Sequence, residues 1–155
     1  MQIDRLDAAL IRLLVETPRI GVVECSRRLA VARGTVQVRL DRLREAGVIR
    51  GFGPDVDPAT LGFSVTAFAT LEIRQGQGRD LRKQLECVAQ ILEVHAITGR
   101  GDLLCRIVAR SNADLQHVIE QIIELEGVVR ASTTIALETP VPYRVLPLVE
   151  SAVDE

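Results

Sequence analysis

With 155 residues, 47% of them apolar and only 3% aromatic, the chain can form one compact domain or two small ones, with a core of Leu, Ile, Val and Ala. No apolar run approaches the ~18 residues that cross a bilayer, and Met1-Gln2-Ile3-Asp4-Arg5 lacks the basic, then apolar, segment of a secretory signal. Neither the membrane nor the secreted class is expected, and a cytoplasmic location is.

The net charge of −2 is unevenly placed. Residues 19–50 hold eight arginines against Glu24, Asp41 and Glu45, a net of +5 that leaves −7 for the remainder. Such a division suits a region that meets a polyanion. Within the first 50 residues, Leu6, Leu10, Leu13 and Leu14 share one face of a helix over 4–16. Asp4 and Asp7 occupy its N-cap and N3 positions, and Pro18 ends it. A second helix is expected over about 22–30, burying Cys25 and Leu29. After the break Ala30-Val31-Ala32, a third spans about 33–46 with the core stripe Val36, Leu40 and Leu43 and Gly47 as its C′ residue.

Residues 47–62 contain four Gly and two Pro and read as a strand-and-turn linker. Beyond them the apolar period becomes two. Phe63, Val65, Ala67, Ala69, Leu71 and Ile73 alternate with polar neighbours and with Phe68, as in a strand with one buried face. A helix near 79–89, strands near 93–98 and 102–110, a helix near 112–125 capped by Ser111 and Asp114, and a strand near 128–137 complete a β-α-β, β-α-β order. The expected fold is thus α+β, an N-terminal helix-turn-helix (winged-helix-like) domain followed by a ferredoxin-like βαββαβ domain. The expected boundaries are 1–50, a hinge at 51–62, 63–138, and a tail at 139–155. Phe68, Leu104 and Val108 fall on the sheet face without helices, which points to burial against another subunit. The tail, with Pro140, Pro142 and Pro147, starts without regular helix and can lie over a neighbouring subunit.

Two short helices, a three-residue break and an Arg-rich third helix fit a helix-turn-helix that reads double-stranded DNA. The outer face of the third helix carries Gly34, Val38, Asp41 and Arg42, flanked by Thr35, Gln37 and Arg39, and Arg33 at the helix start is a further DNA-binding candidate. Gln37 can pair with adenine, Arg42 with guanine or phosphate, and Val38 with a thymine methyl, while Arg27, Arg28 and Arg50 lie where phosphate contacts fix register. The alternative on spacing alone is a three-helix protein-interaction module with a solvated charged face.

The segment from Glu24 to Ile49, the hinge from Gly47 to Gly62 and the stretch His95-Ala-Ile-Thr-Gly-Arg-Gly-Asp-Leu-Leu104 resemble the leucine-responsive regulator/AsnC (Lrp/AsnC) family over about residues 3–138. The resemblance implies a transcription regulator and no enzyme. It also implies an amino-acid-sensing second domain of the RAM type and homodimers that assemble into tetramers or octamers. The effector loop it implies is Thr98, Gly99, Arg100, Gly101 and Asp102, with Asp102 accepting from an α-ammonium; the alternative for this loop is a plain β-turn. The chain departs from the family at Ala30 and Ala32, where Gly and Ser are usual, and at Asp41, where a basic residue is common. These departures imply a strained turn, an uncapped reading helix and weak binding by a single domain, offset by several domains acting together.

No catalytic constellation, metal site or cofactor is expected. The three cysteines are read as small apolar core positions, and His95 and His117 as structural or surface residues. The rival functions are a DNA-bending architectural protein of the same family, a sirohaem-decarboxylase-like enzyme using histidine, and a protein-interaction hub.

Overall fold

Asp4 starts the first helix as its spacing predicts: it accepts from the Asp7 N–H at 2.9 Å while the Asp7 carboxylate accepts from the Asp4 N–H at 3.0 Å. The computed structural model describes residues 2–153, which fall into two units: the chain up to Asp55 joined by the segment from Val141 onward, and Val56–Pro140.

In the first unit, α1 (Arg5–Glu16), α2 (Val22–Leu29) and α3 (Arg33–Glu45) pack around Leu10, Ile11, Cys25, Val36, Leu40 and Leu43. Of the expected α1 stripe only Leu10 is fully buried, and Asp7 and Ile11 take the other inward positions. The inward line turns this way because the Asp7 carboxylate is drawn to arginines on α3. No strand forms between Ala46 and Ser64; the hinge is extended chain followed by a turn, where Asp57 accepts from the Ala59 and Thr60 N–H groups. The tail is irregular through Val145, as its prolines require, and then forms α6 (Leu146–Ser151) with Pro147 in the first turn, where a missing N–H costs nothing. Its Val149 joins the core of the first unit and Glu150 pairs with Arg12 at 2.6 Å. The tail helix therefore packs on α1 within the first unit, with Val149 on its core and Leu148 left 68% exposed.

The second unit runs β1 (Val65–Ile73), α4 (Gly78–Glu86), β2 (Ile91–Ala96), β3 (Leu103–Ala109), α5 (Asn112–Glu124) and β4 (Val128–Ala136). The four strands form one antiparallel sheet in the order β2-β3-β1-β4, so each helix crosses over a strand inserted between the two it joins. Alternation puts Ala67, Ala69, Leu71, Cys105 and Ile107 under Leu81, Leu85, Leu115, Val118 and Ile122 of the two helices. On the other face Phe68 is 39% exposed and Leu104 half-buried, whereas Val108 is already covered at 4%. Cys25 and Cys105 are core residues, with burial pushing the Cys105 thiol up to about 11. Cys87 is exposed at the end of α4, contrary to the core position expected for it. It follows the last helical turn, where its thiol donates to the Lys83 carbonyl at 3.3 Å.

The turn between α2 and α3 bears out both backbone expectations. Ala30 takes φ 53°, ψ 39°, the sole positive-φ residue other than glycine among those described, and Ala32 caps α3 with no side-chain bond. An L-residue in the left-handed region costs about 1–2 kcal/mol, offset in part by the entropy that a glycine loses on folding. Ala30→Gly should stabilise the first unit by about 0.5–1 kcal/mol and Ala32→Ser by about 1 kcal/mol. Both gains are read as increases in the denaturant midpoint.

Candidate nucleic-acid interface and effector loop

The buried Asp7 carboxylate is the structural centre of the first candidate site. It has no solvent exposure and receives two guanidinium groups from α3, Arg39 at 3.0 Å and Arg42 on its other oxygen. Arg39 also binds Asp4, whose carboxyl falls from its usual 3.8 to about 2 because the Arg39 bond and the Asp7 N–H favour the charged form. Arg39 and Arg42 thus lie on the α1-facing flank of α3. The sequence placed Arg42 on the outermost face, and the helical position allows that, but its long side chain folds back onto Asp7.

The remaining basic candidates divide into two groups. Arg27 and Arg28 both grip Glu24, at 2.8 and 2.9 Å, and these two bonds pull the Glu24 carboxyl from 4.5 to about 2. Surface pairs of this kind contribute little net stability, so a phosphate can displace Glu24 readily. Breaking the Asp7 pairs leaves a buried carboxylate without compensation, which costs about 3–5 kcal/mol when the pair is fully buried. Arg33 and Arg50 are exposed and make no ion pair among the described residues.

Gly34, Thr35, Gln37 and Val38 form one exposed surface along α3, and Val38 is 67% exposed. The Gln37 amide donates to Asp41 at 3.0 and 3.1 Å. An i,i+4 surface bond of this type adds about 0.2–0.5 kcal/mol, little enough to yield to a base edge. At Gly34 a Cβ would meet nothing within 4 Å, and the backbone is not in a positive-φ conformation, so nothing in the chain itself demands glycine there.

The second candidate site joins β2 to β3. Thr98, Gly99 and Arg100 are exposed, while Gly101 and Asp102 are anchored to the end of β1. The Asp102 N–H donates to the Leu71 carbonyl at 2.8 Å, and one oxygen of its carboxylate accepts from the Ile73 N–H at 2.8 Å. Gly101 has φ 85°, and a Cβ there would clash with the Thr70 side chain and approach the Leu71 carbonyl oxygen to 3.1 Å. Half of the Asp102 carboxylate is therefore committed to the sheet, a role that the ammonium-binding assignment left out. The signal for it was the β-turn alternative, in which Asp bonds backbone. A groove of about 570 Å³ in this unit lies apart from the loop, between the end of α4 and α5, and includes Gln84, Cys87 and Gln121.

A three-helix reading head followed by a split β-α-β module with an anchored glycine loop is the build of a helix-turn-helix transcriptional regulator with a ligand-binding domain. The Lrp/AsnC ligand-binding-domain model matches residues 66–146, and a winged helix-turn-helix DNA-binding model matches residues 3–50. The chain is 31% identical over 138 residues to the HTH-type transcriptional regulator Ptr1 of Methanocaldococcus jannaschii, covering 88% of this chain and 93% of that one. It is 28% identical over 147 residues to the regulatory protein AsnC of Escherichia coli, covering 94% and 97%. The solved structure of Escherichia coli AsnC superposes with a TM-score of 0.86 at 27% identity, over 95% of this chain and all of that one. The chain belongs to the Lrp/AsnC family: it is a DNA-binding transcriptional regulator and not an enzyme. No helix among the described residues is long and apolar enough to cross a membrane.

Two expectations follow from this geometry. The stability contributed by the Asp4–Arg39 and Glu24–arginine pairs is whole above the ordinary carboxylate values of 3.8 and 4.5 and is lost as pH falls towards about 2. Thermal melts of the first unit should drop across that window, and Asp4→Asn should flatten part of the drop. In the second unit, Asp102→Ala removes the acceptor from the Ile73 N–H and should lower unfolding stability by about 1–2 kcal/mol without any effector present. An unchanged denaturant midpoint would show that the bond contributes nothing.

Proposed function

We propose that Gly34, Thr35, Gln37 and Val38 enter the major groove, with Arg33 at the helix start and Arg27, Arg28 and Arg50 on phosphates. The observation that carries this reading is the open start of α3: an uncovered face with Val38 exposed and a glycine at position 34 that nothing inside the chain explains. Gly34 lets a backbone or base edge approach the helix N-terminus, where free N–H groups favour a phosphate. Arg39 and Arg42 support this face from the side.

The second part of the reading concerns control. Thr98, Gly99, Arg100, Gly101 and the free oxygen of Asp102 form an effector site for an amino acid, with Arg100 available for its carboxylate. Because the loop is open on a single subunit, a second subunit supplies the missing wall. Homodimers joined through the sheet face of Phe68 and Leu104, and assembled further into tetramers or octamers, place two reading helices on half-sites about one helical turn apart. Residues 51–62 act as the hinge between a DNA-binding and an effector-binding part, and the protein works in the cytoplasm. Effector binding shifts promoter occupancy to the extent that it favours one assembly over another.

Genomic footprinting of the purified protein, repeated with a panel of amino acids, tests both parts. Protected sites that share a sequence and whose occupancy changes several-fold with at least one amino acid are the expected result. Protection at all promoters without base preference would make the protein an architectural one, and indifference to every amino acid would remove the effector assignment.

A further inference from the structure

Four acidic and basic side chains join α1 to α3 in a way that bears on how the reading helix discriminates DNA. The +5 patch of residues 19–50 includes Arg39 and Arg42, yet both guanidinium groups are turned onto Asp4 and Asp7, which lie outside that stretch. Counting these two carboxylates, the patch presents +3. The exchange is lopsided in burial: Asp7 has no exposure, while Arg39 keeps 24% and Arg42 46% of the side chain accessible. A phosphate can take Arg27 and Arg28 from Glu24, whose side chain is 34% accessible and whose loss of partners is made good by water. It cannot take Arg39 and Arg42 from Asp7 on the same terms, since water does not reach that carboxylate.

We infer that Asp7, assisted by Asp4, is a specificity-positioning residue: it withholds Arg39 and Arg42 from phosphate and thereby lowers sequence-independent attraction relative to base reading by the outer face of α3. Sequence-independent DNA binding is set by the number of phosphates neutralised, and each one adds about 0.9 to the steepness of log affinity against log salt. Base contacts carry no such term. A helix with two of its arginines held internally therefore slides off non-cognate DNA more readily, and a larger share of its affinity comes from base edges. The inference rests on the DNA-binding reading above.

The test uses the full chain and its Asp7→Asn, Asp4→Asn and Glu86→Gln variants. Binding is measured by fluorescence anisotropy on the most strongly footprinted fragment and on mixed-sequence duplex, from about 50 to 200 mM salt. Asp7→Asn should bind mixed-sequence DNA about tenfold more tightly at the lowest salt, with the salt dependence steeper by about 1–2, so that the ratio of specific to non-specific affinity falls. Asp4→Asn keeps an effective helix cap and so guards against misfolding; it should shift the same quantities by about threefold in the same direction. Glu86→Gln makes the same change in net charge at an exposed position of α4 in the second unit and should leave the ratio unaltered.

A purely structural role for Asp7 would weaken both affinities together and leave the salt dependence as it is. That outcome, or variants that match the unaltered chain on both DNAs, overturns the inference while leaving DNA binding intact. If Asp7→Asn is unfolded by circular dichroism, Asp4→Asn decides alone. An unaltered chain that binds neither DNA at low salt overturns the DNA-binding reading and this inference with it.

Discussion

A carboxylate removed from water must be matched by cations and donors, and in the first unit that demand falls on Asp7. It accepts the Asp4 N–H at the start of α1 and the guanidinium groups of Arg39 and Arg42 on α3. One side chain thus satisfies the N-cap N–H of α1, sets how α3 lies against it, and determines which arginines remain for an external anion. An apolar residue of similar size would fill the same volume and could even be more stabilising, as buried ion pairs often are no better than good packing. It would leave Arg39 and Arg42 free, however, and would not select one seating of α3 over a rotation about its axis.

Local signals contribute less to α3 than its neighbours do. Its N-cap makes no side-chain bond, Ala30 just before the cap region sits at positive φ, and its first turn includes a glycine, which costs about 1 kcal/mol relative to alanine. Val36, Leu40 and Leu43 compensate by complete or near-complete burial, and Val149 closes the same core from the far end of the sequence. The reading element is therefore held by tertiary packing and one ion-pair cluster rather than by caps. Its exposed start is free to differ in sequence without loss of the core.

The second unit follows the opposite economy, with local geometry tightly prescribed where function is proposed. Asp102 continues the β1–β3 ladder by its N–H to Leu71 and then substitutes a carboxylate for the missing strand at Ile73. Gly101 permits that close approach because a Cβ would collide with the Thr70 side chain and crowd the Leu71 carbonyl. The exposed residues Thr98, Gly99 and Arg100 consequently hang from a fixed stem. A ligand that engages them meets a loop already ordered at its base, and its binding can be transmitted to β1 through the Asp102–Ile73 bond.

Period and punctuation carried most of the fold into view from sequence. The helices and strands were legible because burial repeats along each element, and Asp4, Ser111 and Ala30 were legible because caps and turns act over three or four residues. What periodicity lacks is any account of partners distant in the chain. It placed Arg42 outward by angle, yet an arginine spans several ångströms and chooses its anion after the helices pack, here 35 residues away. The same blindness hid the use of Asp102 at Ile73, 29 residues off, and the seating of Val149 on the first unit. Each miss involves a side chain whose role is set by long-range electrostatics or burial. The composition of the patch thus overstated its charge: eight arginines described what the region contains, and only the structure separated those that face outward from those that hold the domain together.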